Sequence, residues 1–363
     1  WAIYGIVGLA MGYFTHRKGL PLNISSTLQP ILGDKGVNGM WGGLANGLAI
    51  FSTVGGLTTS LGLGVLQISY GLDTLFGIPS SKLVQGALVV GISALAILSV
   101  MTGLKKGILF LSRLNIGLAA IMVIAMLVLG PTIYLLGLFV QLLGEYIVNV
   151  FSLGSNTFAN YPEQQWPNWW TTFYWAWWIS WSPFVGSFIA RISRGRTIRE
   201  FIIGVLLIPT LLSLIWLTVM GGTAINIELL AENPGEAGIL AATKEGSERA
   251  MFATFAAMNI GVALEYLLSL VGLSLVVIFF ITSCDSGTLV LSMLTSRGNL
   301  DPPKSLRLFW GVLVGGVALV LLLTGGLSAI QTAAIVAALP FSVVMLLMMV
   351  GLFRSLANEP PIK

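Results

Sequence analysis

Charged side chains are scarce in this sequence: only 9% of its 363 residues are Asp, Glu, Lys or Arg, whereas 56% are hydrophobic. Soluble domains carry roughly 25% charged residues, so the composition excludes an ordinary water-soluble protein. A single cysteine and a single histidine exclude a disulfide scaffold and leave no metal-ligand cluster of these residues. With so few candidate nucleophiles and bases, the sequence also argues against an enzyme, and no cofactor is expected.

Long apolar runs recur along the whole chain, and a run of about 20 residues can cross a bilayer as a helix. The sequence therefore predicts an all-α polytopic membrane protein. The chain starts at Trp1 and its first run is too short to span, so we expect that it begins inside a transmembrane helix, with earlier helices absent. Nine segments are predicted, at residues 1–15, 42–70, 83–103, 112–133, 171–192, 200–224, 262–294, 306–325 and 328–354.

The run "YLLGLFVQLLGEYIVNVF" separates the fourth segment from the fifth. Its glycines and its acidic Glu145 are typical of an amphipathic helix that lies at the membrane interface. We therefore do not count this run among the nine spanning segments.

The basic residues follow every second segment. Fifteen of the 18 Lys and Arg residues come after segments one, three, five, seven or nine, the last of them being Lys363. By the positive-inside rule these loops are cytoplasmic, which predicts a multi-pass protein of the cell inner membrane. The same pattern explains the pI of about 9.2 without nucleic acid. The opposite side holds most acidic residues: Asp73, Glu145, Glu163, Glu228, Glu232, Glu236, Glu245 and Glu248.

The stretch "WWTTFYWAWWISWSPF" is unusually rich in tryptophan. At about 100° per residue, one arc of the helix carries Tyr174, Trp177, Trp178, Trp181, Phe184 and Phe188. Trp166, Trp169 and Trp170 are typical of an interfacial aromatic belt. The deeper indoles of Trp177, Trp178 and Trp181 suit a quaternary ammonium group, which ring faces attract through cation–π interactions. Ordinary helix packing is the alternative for these three.

Pro183 lies within the same aromatic stretch. A proline removes a backbone hydrogen bond and loosens a helix. Because irregular backbone inside a membrane must be buried in protein or line a cavity, we expect the helix to open at this point.

Two hydroxyls and an acid stand together in "FFITSCDSGT". Hydroxyls with freed carbonyls form the oxygen shell that Na⁺ takes in transporters with broken helices, and an intramembrane acid such as Asp285 is functional by default. Thr282 and Ser283 are therefore candidate ion ligands. The alternative is that each hydroxyl bonds back to the carbonyl four residues earlier.

The motif "GGLTTSLGLG" places Gly56, Ser60 and Gly64 four residues apart. Small residues at this spacing allow another helix to approach closely, so packing is the favoured interpretation. A second ion site that uses Thr58, Thr59 or Ser60 is the less favoured one.

Four stretches together resemble the betaine/choline/carnitine transporter family. They are "GYFTHRKGLPL", "TTSLGLGVLQI", "FYWAWWISWSPFVGSFIARISRGRTIREF" and "FFITSCDSGT", in the family's order, and the similarity covers nearly all of the chain. The lead-in "NWWTTFY" departs from the family, in which a single Trp before the Thr is expected. The departure lies outside the presumed pocket.

The resemblance implies a LeuT-like inverted-repeat fold with about nine of its twelve helices present, most like a sodium-coupled glycine betaine transporter. Residues 1–134 would be a partial first repeat, 135–165 the interfacial amphipathic helix and an outer loop, and 166–358 the second repeat. The family also implies a homotrimer.

The resemblance further assigns roles to individual residues. The substrate would be bound by Trp1, Tyr4, Trp177, Trp178 and Trp181, and Phe184 and Phe188 would gate or line the cytoplasmic path. Na⁺ would be held by the Phe279 carbonyl and the hydroxyls of Thr282 and Ser283.

The implied activity is import of a zwitterionic or cationic trimethylammonium solute, glycine betaine or a related betaine, by Na⁺ symport with alternating access. The retained Thr282 and Ser283 favour Na⁺ as the coupling ion. The alternatives are a Na⁺-independent carnitine or betaine antiporter and a proton-coupled choline importer, in which Asp285 is the candidate protonation site.

Overall fold

A computed structural model describes residues 1–102, 105–161, 163, 165–231 and 238–360, without the side chains of 105–108. These residues are 86% helical, and no strand occurs among them. The predicted all-α fold is thus confirmed. Several predicted loop charges lie outside the described part of the chain: Glu232, Glu236, Lys363 and the side chains of Lys105 and Lys106.

The described residues form thirteen α-helices, joined in places by short 3₁₀ and π turns. They are α1 Ala2–Gly12, α2 Gln29–Val37, α3 Met40–Phe76, α4 Lys82–Thr102, α5 Lys105–Leu129, α6 Thr132–Ser155, α7 Phe173–Ile192, α8 Ile198–Ile202, α9 Ile208–Leu230, α10 Ile239–Glu245, α11 Ala250–Ala257, α12 Val262–Thr295 and α13 Lys304–Ala357. Three π turns, at Tyr13–Arg17, Asn168–Thr172 and Ile203–Leu207, extend α1, precede α7 and join α8 to α9.

Each of the nine predicted segments coincides with a helix, and among the described residues seven helices are long and apolar enough to cross a membrane. The helix α1 is too short to be among the seven, and the tryptophans and serines of α7 lower its hydropathy. The last two predicted segments form one element, α13, which is interrupted at Gly326 with φ +58°. Glycine adopts this backbone conformation without steric cost, so the chain turns there between segments 306–325 and 328–354.

The helix α6 covers the run that was predicted to lie at the interface. Only Leu135 of its 24 residues is buried, and it packs chiefly against α9. Its length and composition would also suffice for a membrane span. Its interfacial position and the division of the chain into two repeats stay predictions.

The helices α1 and α7 pack side by side in parallel. Trp1 contacts Trp178, and further along the two helices Gly8 contacts Gly186 and Gly12 contacts Ala190. A Cβ at Gly186 would lie 2.5 Å from Val7 Cγ1 and 3.0 Å from the backbone nitrogen of Gly8. Backbones approach this closely only where side chains are absent.

The long helix α3 occupies the centre of the bundle, where it contacts α7, α12 and α13. Its glycines meet large side chains of these neighbours. A Cβ at Gly56 would lie 2.5 Å from Trp181 Cδ1, and one at Gly64 would lie 2.2 Å from a ring carbon of Phe280. The small residues of the predicted row therefore do serve helix packing.

We expect Gly186→Ala to destabilise the protein, because the new methyl group would overlap Val7 and the α1 backbone. Overpacking of this kind costs about 1–3 kcal/mol. Gly91→Ala is the matched control, since nothing lies within 4 Å of its Cβ position in α4 and alanine is otherwise the better helix former. Thermal unfolding in detergent measures both variants. Equal midpoints for the two would contradict the close α1–α7 contact.

One acidic side chain ties the end of α13 to the end of α1. Glu359 accepts a hydrogen bond from the Tyr13 hydroxyl at 2.6 Å. Its carboxylate oxygens lie 2.6 Å from Lys18 Nζ and 3.1 Å from Arg17 Nη2. These contacts, that of Lys18 first, lower the pKa of Glu359 from 4.5 to about 2.

We expect Glu359→Gln to lower the thermal midpoint at neutral pH, by a modest amount because the ion pairs are partly exposed. A lowered pKa gives stabilisation that is fully present above the ordinary value of 4.5 and is lost as pH falls towards about 2. The difference between wild type and variant should therefore shrink over this range. A difference that is independent of pH would contradict the assignment.

Candidate functional site

The aromatic stretch forms the helix α7, which continues without interruption through Pro183. The expected opening of the helix at this proline is therefore wrong. The proline cannot donate to the carbonyl of Ile179, four residues earlier. The Ser182 hydroxyl donates to that carbonyl instead, at 2.7 Å, so the carbonyl is satisfied and the helix stays closed.

Trp178 belongs to an aromatic cluster between α7 and α1. Its ring stacks on Tyr4 at 4.8 Å with an interplanar angle of 13°, and it meets Trp1 edge-on at 5.6 Å. The indole N–H of Trp1 also donates a hydrogen bond to the Ser213 hydroxyl of α9, at 3.3 Å. Three of the five predicted substrate residues are thus in mutual contact.

Trp177 and Trp181 lie against α3 instead. Successive residues are about 100° apart around a helix, so Trp177 and Trp178 contact different neighbours. The Trp177 indole donates to the Ser60 hydroxyl at 3.0 Å, and the Trp181 indole donates to the carbonyl of Gly56 at 2.8 Å. The predicted set of five is therefore divided into two groups on two sides of α7.

A cavity of about 650 Å³, which we call the large cavity, lies beside Trp177 and Trp181. It is enclosed by α3, α5, α7, α9, α11 and α12. No charged side chain is among its lining residues in the described part of the chain. A cation can be held in such a site by ring faces, without a counter-charge. The predicted residues that line it are Ser60, Trp177, Trp181, Phe279 and Ser283.

Two further lining residues, Trp216 and Gln67, were not predicted. Trp216 is a lone tryptophan in the apolar run of α9, and no pattern in the sequence connects it with α7. Gln67 is one of two side-chain amides in the predicted segment 42–70, the other being Asn46. An amide in such an apolar segment is a signal that sequence reasoning could have used.

The predicted Na⁺ ligands lie on α12, which is continuous from Val262 to Thr295. The Thr282 hydroxyl donates to the carbonyls of Ile278, at 2.9 Å, and Phe279, at 3.1 Å. This is the alternative arrangement, in which the hydroxyl bonds back to an earlier carbonyl of its own helix. Ser283 faces the large cavity together with Phe279.

The hydroxyls of the possible second ion site are bonded in the same way. Thr58 donates to the carbonyl of Val54 at 2.9 Å, and Ser60 donates to that of Gly56 at 3.1 Å. Thr59 donates to Gly55 and also reaches Ile330 of α13 at 3.0 Å. All of these hydrogen bonds lie within α3 except the one from Thr59 to Ile330, which connects α3 to α13.

The two residues predicted to gate or line the cytoplasmic path, Phe184 and Phe188, differ in their surroundings. Phe184 is buried and meets Trp181 at 5.4 Å. Phe188 is 47% exposed and lines a smaller cavity of about 300 Å³ together with Asp285. Asp285 is therefore not part of the large cavity. The predicted belt residues Trp166, Trp169 and Trp170 are all exposed.

We expect Ser283→Cys to react with a small methanethiosulfonate reagent that enters the large cavity. The native Cys284 is the control, because it is the only cysteine in the chain and is 5% exposed. Mass spectrometry of the intact protein measures the extent of labelling. Equal labelling of wild type and variant would contradict the assignment of Ser283 to the cavity.

The chain as a whole is similar to known proteins. The model of the betaine/carnitine/choline family transporters matches residues 1–361. The chain is 48% identical to the glycine betaine transporter OpuD of Bacillus subtilis over 360 residues, which cover 99% of the chain and 68% of that relative.

Two other named transporters are similar over almost the whole chain. The glycine betaine transporter of Acinetobacter baylyi is 45% identical over 98% of the chain, and the high-affinity choline transport protein of Escherichia coli K12 is 41% identical over 99%. The chain spans 52% of the length of each. These relatives are transporters, which confirms that the protein is not an enzyme. The chain belongs to the betaine/carnitine/choline family of membrane transporters.

Proposed function

We propose that the protein imports a quaternary-ammonium compatible solute, glycine betaine or a related betaine, by Na⁺ symport with alternating access. The observation that carries this proposal is the large cavity, where the rings of Trp177 and Trp181 stand beside the Ser283 hydroxyl without any charged lining residue. A trimethylammonium group donates no hydrogen bonds, so ring faces are its natural partners. The names of the two glycine betaine relatives support the same substrate class.

The aromatic cluster of Trp1, Tyr4 and Trp178 is proposed as the second part of the substrate site. With Tyr4 and Trp178 stacked at 4.8 Å, no group the size of a trimethylammonium fits between their rings. Substrate binding there requires that the two rings separate. Relative motion of α1 and α7, which carry these rings, is a natural element of alternating access.

Na⁺ is proposed as the coupling ion, with the Phe279 carbonyl, Thr282 and Ser283 as its ligands. Hydroxyl oxygens keep lone pairs when they donate, so the back-bonded Thr282 can still accept a cation. Thr58, Thr59 and Ser60 form a less favoured second site. Binding of Na⁺ and substrate to the same conformation would couple the two thermodynamically.

Two other coupling modes remain alternatives. The first is a proton-coupled choline importer: the similarity to the choline transport protein of E. coli supports choline as the substrate, and Asp285, a buried acid in a membrane helix, could take up the proton. A Na⁺-independent antiporter of carnitine or betaine is the other. We further propose, from the positions of the basic loops and the family, a homotrimer in the cell inner membrane with these loops in the cytoplasm.

Uptake by the full-length transporter in proteoliposomes tests the proposal. We expect labelled glycine betaine to accumulate only with an inward Na⁺ gradient. Accumulation that follows a proton gradient would favour the choline-type alternative. Uptake that ignores Na⁺ but requires substrate on the opposite side would favour the antiporter and contradict symport.

Two variants test the proposed roles of single residues in the same assay. Trp178→Ala should weaken betaine binding by about tenfold or more, because it removes a ring face. Thr282→Ala should raise the Na⁺ concentration needed for half-maximal uptake and leave betaine affinity at saturating Na⁺ nearly unchanged. Trp175→Ala is a matched control, since this tryptophan is 53% exposed and lines neither cavity. Unchanged betaine affinity in Trp178→Ala would remove that residue from the substrate site.

A further inference from the structure

The smaller cavity, of about 300 Å³, lies between α5, α7 and α12. It contains an acid, an arginine and an aromatic ring: Asp285, Arg191 and Phe188. None of its lining residues lines the large cavity. It is therefore a separate site with a different chemistry, since it carries charge where the large cavity carries none.

The acid of this cavity lacks a partner. Asp285 is 4% exposed, and its Oδ1 atom is buried without a hydrogen bond to any described residue. A buried carboxylate oxygen without a partner is costly. In a membrane protein such a group marks a ligand or ion pathway. Asp285 thus offers negative charge to a positively charged group in the cavity.

The arginine and the ring lie on one face of α7. Phe188 and Arg191 are three residues apart and so are neighbours on the helix surface. Phe188 is 47% exposed, which leaves much of its ring uncovered. Arg191 is exposed and has neither an ion pair nor a hydrogen bond within the described residues. Its guanidinium is therefore available to an anionic group at the mouth of the cavity.

The smaller cavity lies further along α7 than the large cavity. Along α7, Phe188 follows Trp181 by seven residues, which is about 10 Å of helix. The direction is towards Arg191, Arg194 and Arg196, at the end predicted to be cytoplasmic. Along both α7 and α12, the residues that line the smaller cavity follow those that line the large one.

We propose that the smaller cavity is a second binding site, for a zwitterionic trimethylammonium solute on its way to release. The Asp285 carboxylate and the Phe188 ring face the trimethylammonium group, and the Arg191 guanidinium pairs with the carboxylate of the solute. The separated charges of the cavity match a betaine better than choline, which has no carboxylate for Arg191. This inference rests on the proposed function, because it takes its solute from there.

The test is transport from the cytoplasmic side, measured as efflux or counterflow in proteoliposomes with glycine betaine and with choline. We expect Arg191→Gln to raise the cytoplasmic-side KM for betaine about tenfold and to leave that for choline unchanged. Asp285→Asn should raise the KM for both solutes, since both carry the cation. KM on the outer side should change little in either variant, because the large cavity is untouched.

Arg194→Gln is the matched control: it removes the same charge from the same end of α7, but Arg194 does not line the cavity. Phe188→Leu provides a second variant in case Asp285→Asn fails to fold. It keeps an apolar side chain and should raise the cytoplasmic-side KM for both solutes severalfold through loss of the ring face.

The outcomes separate this inference from the proposed function. A wild-type protein that transports neither solute would refute the proposed function. Normal wild-type transport with unchanged cytoplasmic-side KM in Arg191→Gln and Phe188→Leu would overturn the second site alone. Equal losses for betaine and choline in Arg191→Gln would also overturn it, because they would indicate a structural pairing of Arg191 and not recognition of a carboxylate.

Discussion

The close packing of α7 between α1 and α3 is the contact on which the rest of the site depends. Glycines on both sides make it possible: Gly186 and Gly8 bring α7 against α1, and Gly56 makes room for Trp181 against α3. Because α7 is held at such short range on two sides, consecutive tryptophans of one helix meet two different partners. Trp178 joins the rings of α1, whereas Trp177 bonds to Ser60 of α3.

Charge is distributed unequally between the two cavities, and the reason is energetic. The large cavity lies among apolar helices, where a buried charge would be costly. Indole rings attract a cation without that cost, and their N–H groups are already used to hold the rings in place. The smaller cavity lies beside the arginine-rich end of α7, where Arg191 is exposed. The acid of this cavity, Asp285, is buried, and its Oδ1 atom has no hydrogen-bond partner among the described residues.

The positions of the helices were predictable because a bilayer imposes a simple rule. Backbone polar groups in lipid must be hydrogen-bonded within the segment, so every long apolar run becomes a helix, and Gly326 marks the turn inside α13.

The predicted opening at Pro183 was wrong for a local reason: Ser182 bonds to the carbonyl that the proline leaves free. The short helices α2, α10 and α11 were missed, since they are connectors without a spanning apolar run. Trp216 was missed because nothing in the order of residues connects α9 with α7.

By itself, the sequence determined the class of protein, the order of the helices and the identity of the aromatic and hydroxyl residues, because hydropathy and residue type are local properties. The tertiary structure alone decided which of these residues meet. Trp177 and Trp178 are neighbours in the chain, yet Trp177 lines the large cavity and Trp178 packs against Trp1 and Tyr4. Asp285 follows Ser283 by two residues, yet it belongs to another cavity. Two side chains on one helix are separated by about 100° per residue, and only the packing of the other helices determines what stands in each direction.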